Sequence, residues 1–296
     1  MRSERNPTTP YFFITLNMNT FIEQCKWLFR ITKENFIYKS EDAKCNLIYF
    51  PHQLKIMSFN IRRDVWKDGD NNWKFRKQAI VKSIQTNNPD IICMQEVMPH
   101  MAKYLNSELC GCYEQQSLEV FTGKDLTKSY CIPGEGLIIF YRKDKFTFKS
   151  KEKIKLFDGR FFNMRRALVV TLVNKISGET MEVINTHFCH QSYEARAKSF
   201  NKLLEYYNTK KCNQIFICGD FNCELHQVEN NTDLFKNAFS YNIPDEKGTI
   251  NFFKGASGRT IDFIFSNREI KTTKIDRDCY NDKLFISDHW PVINTY

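Results

Sequence analysis

The stretch Ile215-Phe216-Ile217-Cys218-Gly219-Asp220-Phe221-Asn222 decides how this chain is read. Four apolar residues in a row mark a buried strand, and Gly219 gives the backbone freedom to turn sharply at its end. Such a turn would leave Asp220 and Asn222 at the rim of a sheet. A carboxylate there can accept a proton, and a neutral amide can donate to a phosphate oxygen. An ordinary strand followed by an Asp/Asn-capped turn has the same local signature, so the stretch decides nothing alone.

Similar strand ends recur on both sides of it. Residues 55–60 alternate as a strand should and end in Asn60, and a helix is expected over 73–87 with Ile80, Val81 and Ile84 inward. After Pro89, residues 90–95 form a strand that presents Glu96, completing a βαβ unit with polar groups on one side of the sheet. Strands at 136–141, 146–148, 167–173 and 180–185 follow, the last leading into Thr186-His187. Helices are expected at 100–110, 193–207 and 231–240. The strand 260–265 carries Asp262 between apolar neighbours, and the chain closes on Ser287-Asp288-His289 and a short strand. These elements are too many for a simple barrel. They predict an α/β fold of two sheets packed face to face with helices outside, spanning 55–296, after a poorly patterned leader at 1–54.

Bulk composition bounds the partners. The 296 residues can bury a substantial core, and 42% hydrophobic with 26% charged residues is ordinary for a globular protein. A net charge of +9 tilts towards polyanionic partners, nucleic acid or anionic lipid. The eleven cysteines contain no Cys-x-x-Cys pair, and the single-residue spacing of Cys110 and Cys112 suits neither a zinc knuckle nor a usual disulfide loop. Cys93, Cys189 and Cys218 sit in or beside apolar runs like small core residues, which points to a reducing compartment. The apolar run at 11–16 is too short for a signal peptide, and no stretch reaches the ~18 apolar residues of a membrane span. An intracellular, cytoplasmic or nuclear monomer is expected. In the leader, residues 20–32 place apolar side chains at 21, 22, 25, 28 and 29 opposite Lys26 and Arg30. That helix either packs on the main domain or lies on a membrane surface.

The polar residues at strand ends form a chemical set. Asn60 and Glu96 offer hard oxygen ligands suited to Mg²⁺ or Mn²⁺, whereas Cys and His are not spaced for zinc. A buried Asp262 needs a partner, and His289 is the natural one. An Asp–His pair beside a metal and a second carboxylate is equipment for cutting a phosphate ester with water. Singly, each residue has a plainer explanation: Glu96 as an exposed strand-end acid, His187 as a core histidine, Asp288-His289 as a cap before Pro291.

Taken together, Ser58-Phe59-Asn60, Gln95-Glu96, Asn185-Thr186-His187, Gly219-Asp220-Phe221-Asn222, Ile261-Asp262 and Ser287-Asp288-His289 resemble the signature stretches of the endonuclease/exonuclease/phosphatase superfamily, the fold of pancreatic deoxyribonuclease. The resemblance implies a four-layer α/β sandwich of two mixed sheets flanked by helices, with the active site at one edge of the paired sheets. It implies Asn60, Glu96 and Asp288 on the metal side, and His187 against the phosphate. It further implies Asp220 on the attacking water, Asn222 on the transition state, and Asp262 with His289 as the acid–histidine pair. Three departures bear on substrate. Arg62 stands where abasic-site endonucleases carry aspartate, and Cys223-Glu224 replaces the Tyr-Arg of inositol polyphosphate 5-phosphatases. Ile250-Asn251 replaces the Phe-His that usually follows Gly-Thr in the branch this chain resembles most.

Three functions remain open at this level. A nuclease is favoured by Arg62, Arg63, Trp66, Lys67, Trp73, Lys74 and Arg76, which interleave stacking and phosphate-binding groups near the metal end, with Arg165 and Arg166 as a second clamp. The same centre would serve a phosphatase or phosphodiesterase for a lipid or small soluble phosphate. A binding protein on an inactive scaffold is disfavoured by the intact acids, amides and histidines.

Overall fold

Strand periodicity builds the architecture, because successive side chains point to opposite faces. The computed structural model describes residues 18–37, 53–120, 125–126, 134–158, 164–210, 213–242, 245–278 and 285–296. In chain order the main elements are α1 (Met18–Ile37), β1 (Lys55–Asn60), α2 (Trp73–Asn87), β2 (Ile91–Val97), α3 (Pro99–Leu109), β3 (Tyr113–Glu119), β4 (Gly136–Arg142), β5 (Phe146–Phe157) and β6 (Arg165–Asn174). They continue through β7 (Thr180–His187), α4 (Tyr193–Thr209), β8 (Gln214–Asp220), α5 (Glu229–Ala238), β9 (Ser240–Tyr241), β10 (Asp262–Ser266), β11 (Thr272–Ile275) and β12 (Val292–Thr295).

Two six-stranded mixed sheets result, ordered β11-β12-β1-β2-β4-β3 and β5-β6-β7-β8-β10-β9. Each contains a parallel pair, β1–β2 and β7–β8, bridged by α2 and α4. Ile56, Cys93, Ile139, Val170, Val183, Phe216, Cys218 and Ile264 fill the space between the sheets. Their neighbours one residue along face outward. Phe59, Ile92 and Met94 pack with Ile80, Ile84, Met101 and Leu105 of α2 and α3. Ile184, Ile217, Phe263 and Phe265 pack with Phe200, Leu203 and Phe235 of α4 and α5. Strands covered on both faces read as continuous apolar runs, which is why they were legible. The four-layer α/β sandwich expected from the sequence is the fold observed.

Three local features differ from the sequence reading. Gly219 lies inside β8, not at a turn: a Cβ there would sit 2.2 Å from the Thr186 carbonyl oxygen, so glycine permits the close approach of β7. The left-handed residue is Asn222, at φ 52°. Cys112 is disulfide-bonded, which departs from the reading of reduced thiols, while Cys25, Cys93, Cys189, Cys218 and Cys223 are thiols. Helix α1 does pack on the main domain, through Trp27 and Ile31, but its apolar stripe is not the face that packs. Arg30 turns inward to Asp64 at 2.6 Å, and Phe29 is left 74% exposed.

The sheets are held together at one end by amides rather than by apolar contact. Gln95 Nε2 donates to Asn185 Oδ1 at 2.7 Å, and Asn185 Nδ2 donates to the carbonyls of Met94 and Ile138 at 2.8 and 3.0 Å. All of these groups are buried, so losing Asn185 strands several of them without water. Asn185→Leu is expected to lower the unfolding free energy by about 2–4 kcal/mol. Urea denaturation measures it, and a loss under about 1 kcal/mol would show that the clasp contributes little.

Candidate active site

At the end where the amides clasp, the inward face of the strands changes from apolar to polar. Ile56 and Ser58 are followed by Asn60, Val183 and Asn185 by His187, Phe216 and Cys218 by Asp220, and Ile264 is preceded by Asp262. Register then aligns three of these across one sheet: His187 pairs with Asp220, and Asp220 with Asp262. The fourth bridges the sheets. Asn60 Nδ2 lies 3.0 Å from Asp220 Oδ2 and 3.1 Å from Glu96 Oε1. Glu96 reaches this position from a bulge in β2 between Met94 and Val97, at φ 60°. A left-handed non-glycine residue at such a place is backbone strain held by its surroundings.

One oxygen is the hub. Asp220 Oδ2 also lies 3.5 Å from His187 Nε2 and 3.8 Å from His289 Nε2. Asp220 Oδ1 accepts the Asn222 N–H at 2.8 Å, and the left-handed backbone of Asn222 provides that geometry. The Asn222 amide donates to the Phe188 carbonyl at 3.0 Å, which leaves a second N–H. Behind His289, Nδ1 meets Asp262 at 2.9 Å, and Thr249 Oγ1 donates to Asp262 at 2.6 Å.

Burial and charge separate the titrations. Burial opposes a charge on His289, but Asp262 and Asp220 more than offset it and raise its pKa well above the ordinary value. Burial lowers His187, with Asp220 and Glu96 offsetting only part. Asp220 is raised by burial, and Asp262 adds repulsion against the pull of the histidines. Burial would also raise Glu96, yet His187, the Arg63 N–H, Arg62 and Asn60 together hold it at about 2. Asp288 is raised by burial, with Glu96 repelling its charge.

The donor set fits a hard divalent cation. Glu96 and Asp288 offer carboxylate oxygens and Asn60 an amide oxygen, and a cation held by them would relieve the mutual repulsion of Glu96 and Asp288. Two other groups of metal-type ligands exist among the described residues, Asp220–Asp262–His289 and Glu34–Asp64–His100. In the first, the His289 imidazolium already serves as counter-charge to Asp262. In the second, Arg30 bonds Asp64, and Lys77 lies 3.6 Å from Glu34.

The expected substrate clamp is placed differently. Trp73 is fully buried, edge-on to Tyr104, and offers no face to a ligand. Arg76 is also fully buried and donates to the carbonyls of Asn71, Ile61, Ile286 and Arg62. Arg62 forms a fork with Asp68 at 3.1 Å and lies 3.5 Å from Asp288, so its guanidinium joins the wall of the site. Arg166 donates to the Val120 carbonyl at 2.9 Å. Arg165 is buried with Nε unpaired, and its charge reaches His187 and Glu135. Sequence reasoning quoted Ser287 and the Gly248-Thr249 pair without giving either a role, and missed Glu135, which lies near enough to Glu96 for their charges to repel; the Ser287 hydroxyl donates to the Asn60 carbonyl at 2.7 Å. Nothing in the local sequence sets Glu135 apart.

The raised His289 makes a sign-definite prediction. A histidine with a raised folded pKa adds stability that is fully present below its unfolded value near 6.5 and is lost as pH rises through the folded value. Ring-proton NMR should show His289 titrating above 6.5, and Asp262→Asn should move it down. Titration below 6.5 in the unaltered protein would contradict the geometry.

Comparison with known proteins agrees with this architecture. The Endonuclease/Exonuclease/phosphatase family matches residues 57–289. The Candida albicans CCR4-Not complex 3'-5'-exoribonuclease subunit Ccr4 is 27% identical over 51% of this chain, and Drosophila melanogaster Nocturnin is 29% identical over 51%. The aligned parts are 23% and 24% of those relatives, so the chain spans about a quarter of their length. A Bacteroides thetaiotaomicron mannosyl-6-phosphatase shares the fold, with TM-score 0.71 and 24% identity, covering 81% of this chain and 98% of that one. By the extent of the family match, which takes in every strand-end residue from Asn60 to His289, the chain belongs to the endonuclease/exonuclease/phosphatase family.

Proposed function

We propose that this protein is a divalent-metal-dependent phosphoester hydrolase that cuts nucleic-acid phosphodiesters. The observation that carries the hydrolase reading is the convergence on Asp220 Oδ2 of Asn60, His187 and His289, each within 3.8 Å. Asn60, Glu96 and Asp288 would hold Mg²⁺ or Mn²⁺, which when bound neutralises charge on the phosphate. Asp220, raised by burial, is the better base for it and accepts a proton from water. Its orientation is fixed by the Asn222 N–H on one oxygen and the Asn60 amide on the other. His289, kept protonated by Asp262, donates towards a phosphate oxygen. His187, whose pKa burial lowers, and the second N–H of Asn222 donate beside it.

Nucleic acid as substrate is supported by the +9 charge and by the match to a relative named as an exoribonuclease. RNA is therefore the first polymer to test. A second reading, hydrolysis of a lipid or small soluble phosphate, is favoured by one observation. Arg62, Trp73 and Arg76, which were expected to grip a polymer, are occupied within the protein. The fold is also shared with a phosphatase.

Labelled single- and double-stranded RNA and DNA, tested beside a panel of phosphomonoesters, separate the two. Metal-dependent strand cutting that falls at least about a hundredfold in Asp220→Ala is the expected result. Phosphate release from the small esters without strand cutting would overturn the nuclease reading.

A further inference from the structure

Helix α1 is amphipathic but docked the wrong way round. Its inner face is largely polar: Trp27 Nε1 donates to Asp64 at 3.2 Å, Arg30 holds Asp64, and Glu34 lies 3.3 Å from Arg30. Ile31 is fully buried on that face. The opposite face carries Phe21, Ile22, Leu28 and Phe29, which are 52%, 41%, 39% and 74% exposed, with Cys25 exposed among them. Their spacing of three and four residues makes one continuous apolar stripe. A stripe of this kind, left to water beside a fully formed core, marks an interaction surface.

The surroundings of the stripe specify the partner. Where the inner face of α1 meets the segment around Trp66–Asn72, a cleft of ≈ 350 Å³ is lined by Trp27, Arg30, Trp66, Lys74 and Phe75; Lys26, four residues after Ile22, three before Phe29 and 2.8 Å from Glu23, joins its mouth to the stripe. Lys67 sits over the Trp66 ring at 5.1 Å, and Lys74 over Phe75 at 4.6 Å, with Phe75 itself 48% exposed. A half-buried Trp66 and a half-exposed Phe75, each topped by an ammonium group and joined through Lys26 to an apolar stripe, suit the interface of a bilayer, where rings sit at headgroup depth and cations meet anionic lipid. A second copy of the chain is disfavoured. It would bring the +9 charge, and Lys26, Lys67 and Lys74 in particular, against their like.

We propose that the outer face of α1, with the basic–aromatic flank at 66–75, seats this protein on an anionic membrane surface. The helix lies in the interface with Phe21, Ile22, Leu28 and Phe29 among the acyl chains, and the lysines contact phosphate and serine headgroups. The tie from Arg30 to Asp64 holds the catalytic domain against the bilayer, two residues along the chain from Arg62 and the wall of the site. The placement is independent of which phosphoester is cut.

The test uses the full chain and vesicles of phosphatidylcholine, with and without phosphatidylserine. Co-sedimentation is expected only with phosphatidylserine, and should weaken as salt rises. Ile22→Asp with Phe29→Asp should reduce binding at least about tenfold. Both side chains face solvent, so thermal unfolding should stay unchanged. An environment-sensitive fluorophore on Cys25 of the otherwise unaltered protein should shift to the blue on binding. The proposal is overturned if anionic vesicles bind neither better than neutral ones nor through the stripe. It is also overturned if the Cys25 label stays in water, or if sedimentation velocity shows a dimer that the double variant dissociates.

Discussion

The Asn60 carboxamide ties the two sheets together at the site. Asn60 projects from the end of β1 and donates at once to Glu96 of its own sheet and to Asp220 of the facing one. That double contact requires the strands of each sheet to keep their register, because a slip of one residue along a strand turns every side chain to the other face. The Gln95–Asn185 clasp just beneath it enforces the register with buried amides, whose partners cannot be replaced by water. Apolar packing between the sheets supplies the driving force for folding but little directional specificity. The amides supply the specificity, and the site occupies the edge they define.

Charge is then distributed unevenly across that edge. Asp220 and Asp288 have their pKa values raised, Glu96 has its lowered, and one histidine has its pKa raised while its neighbour's is lowered. Groups of like chemistry are thereby set apart in protonation within one small volume, which is what acid–base work on a phosphate needs. Arg62 contributes to this from the side. Its positive φ and its fork to Asp68 hold the guanidinium near Asp288, so it acts on charges in the wall and is not free to reach out.

Much of this was legible in the sequence, for physical reasons that can be named. Strands buried on both faces announce themselves as apolar runs, and polar residues that end such runs fall on the sheet edge. That is how Asn60, Glu96, His187, Asp220 and Asp262 could be found together. The errors also have causes. Trp73 and Arg76 were read as surface groups because a tryptophan and an arginine beside other cations look solvated. A guanidinium buried against four carbonyls leaves no local trace. Gly219 was read as a turn because the Thr186 carbonyl that excludes a Cβ is thirty-odd residues away in sequence (~33 by counting). For α1 the stripe was found but its direction was not, since helices ordinarily bury their apolar face. Thr249 and Glu135 act only through residues that the fold brings to them.

The central claim is that oxygens at one end of the β1–β2–β12 sheet create a cation site at the Asn60–Glu96–Asp288 edge, facing Asp220 of the other sheet. Anomalous diffraction from crystals soaked in Mn²⁺ tests it most directly. The account predicts a peak within about 2.5 Å of a Glu96 oxygen, beside Asn60 and Asp288, that is lost in Glu96→Gln. A peak at Glu34–Asp64–His100 with none at Glu96 would contradict it.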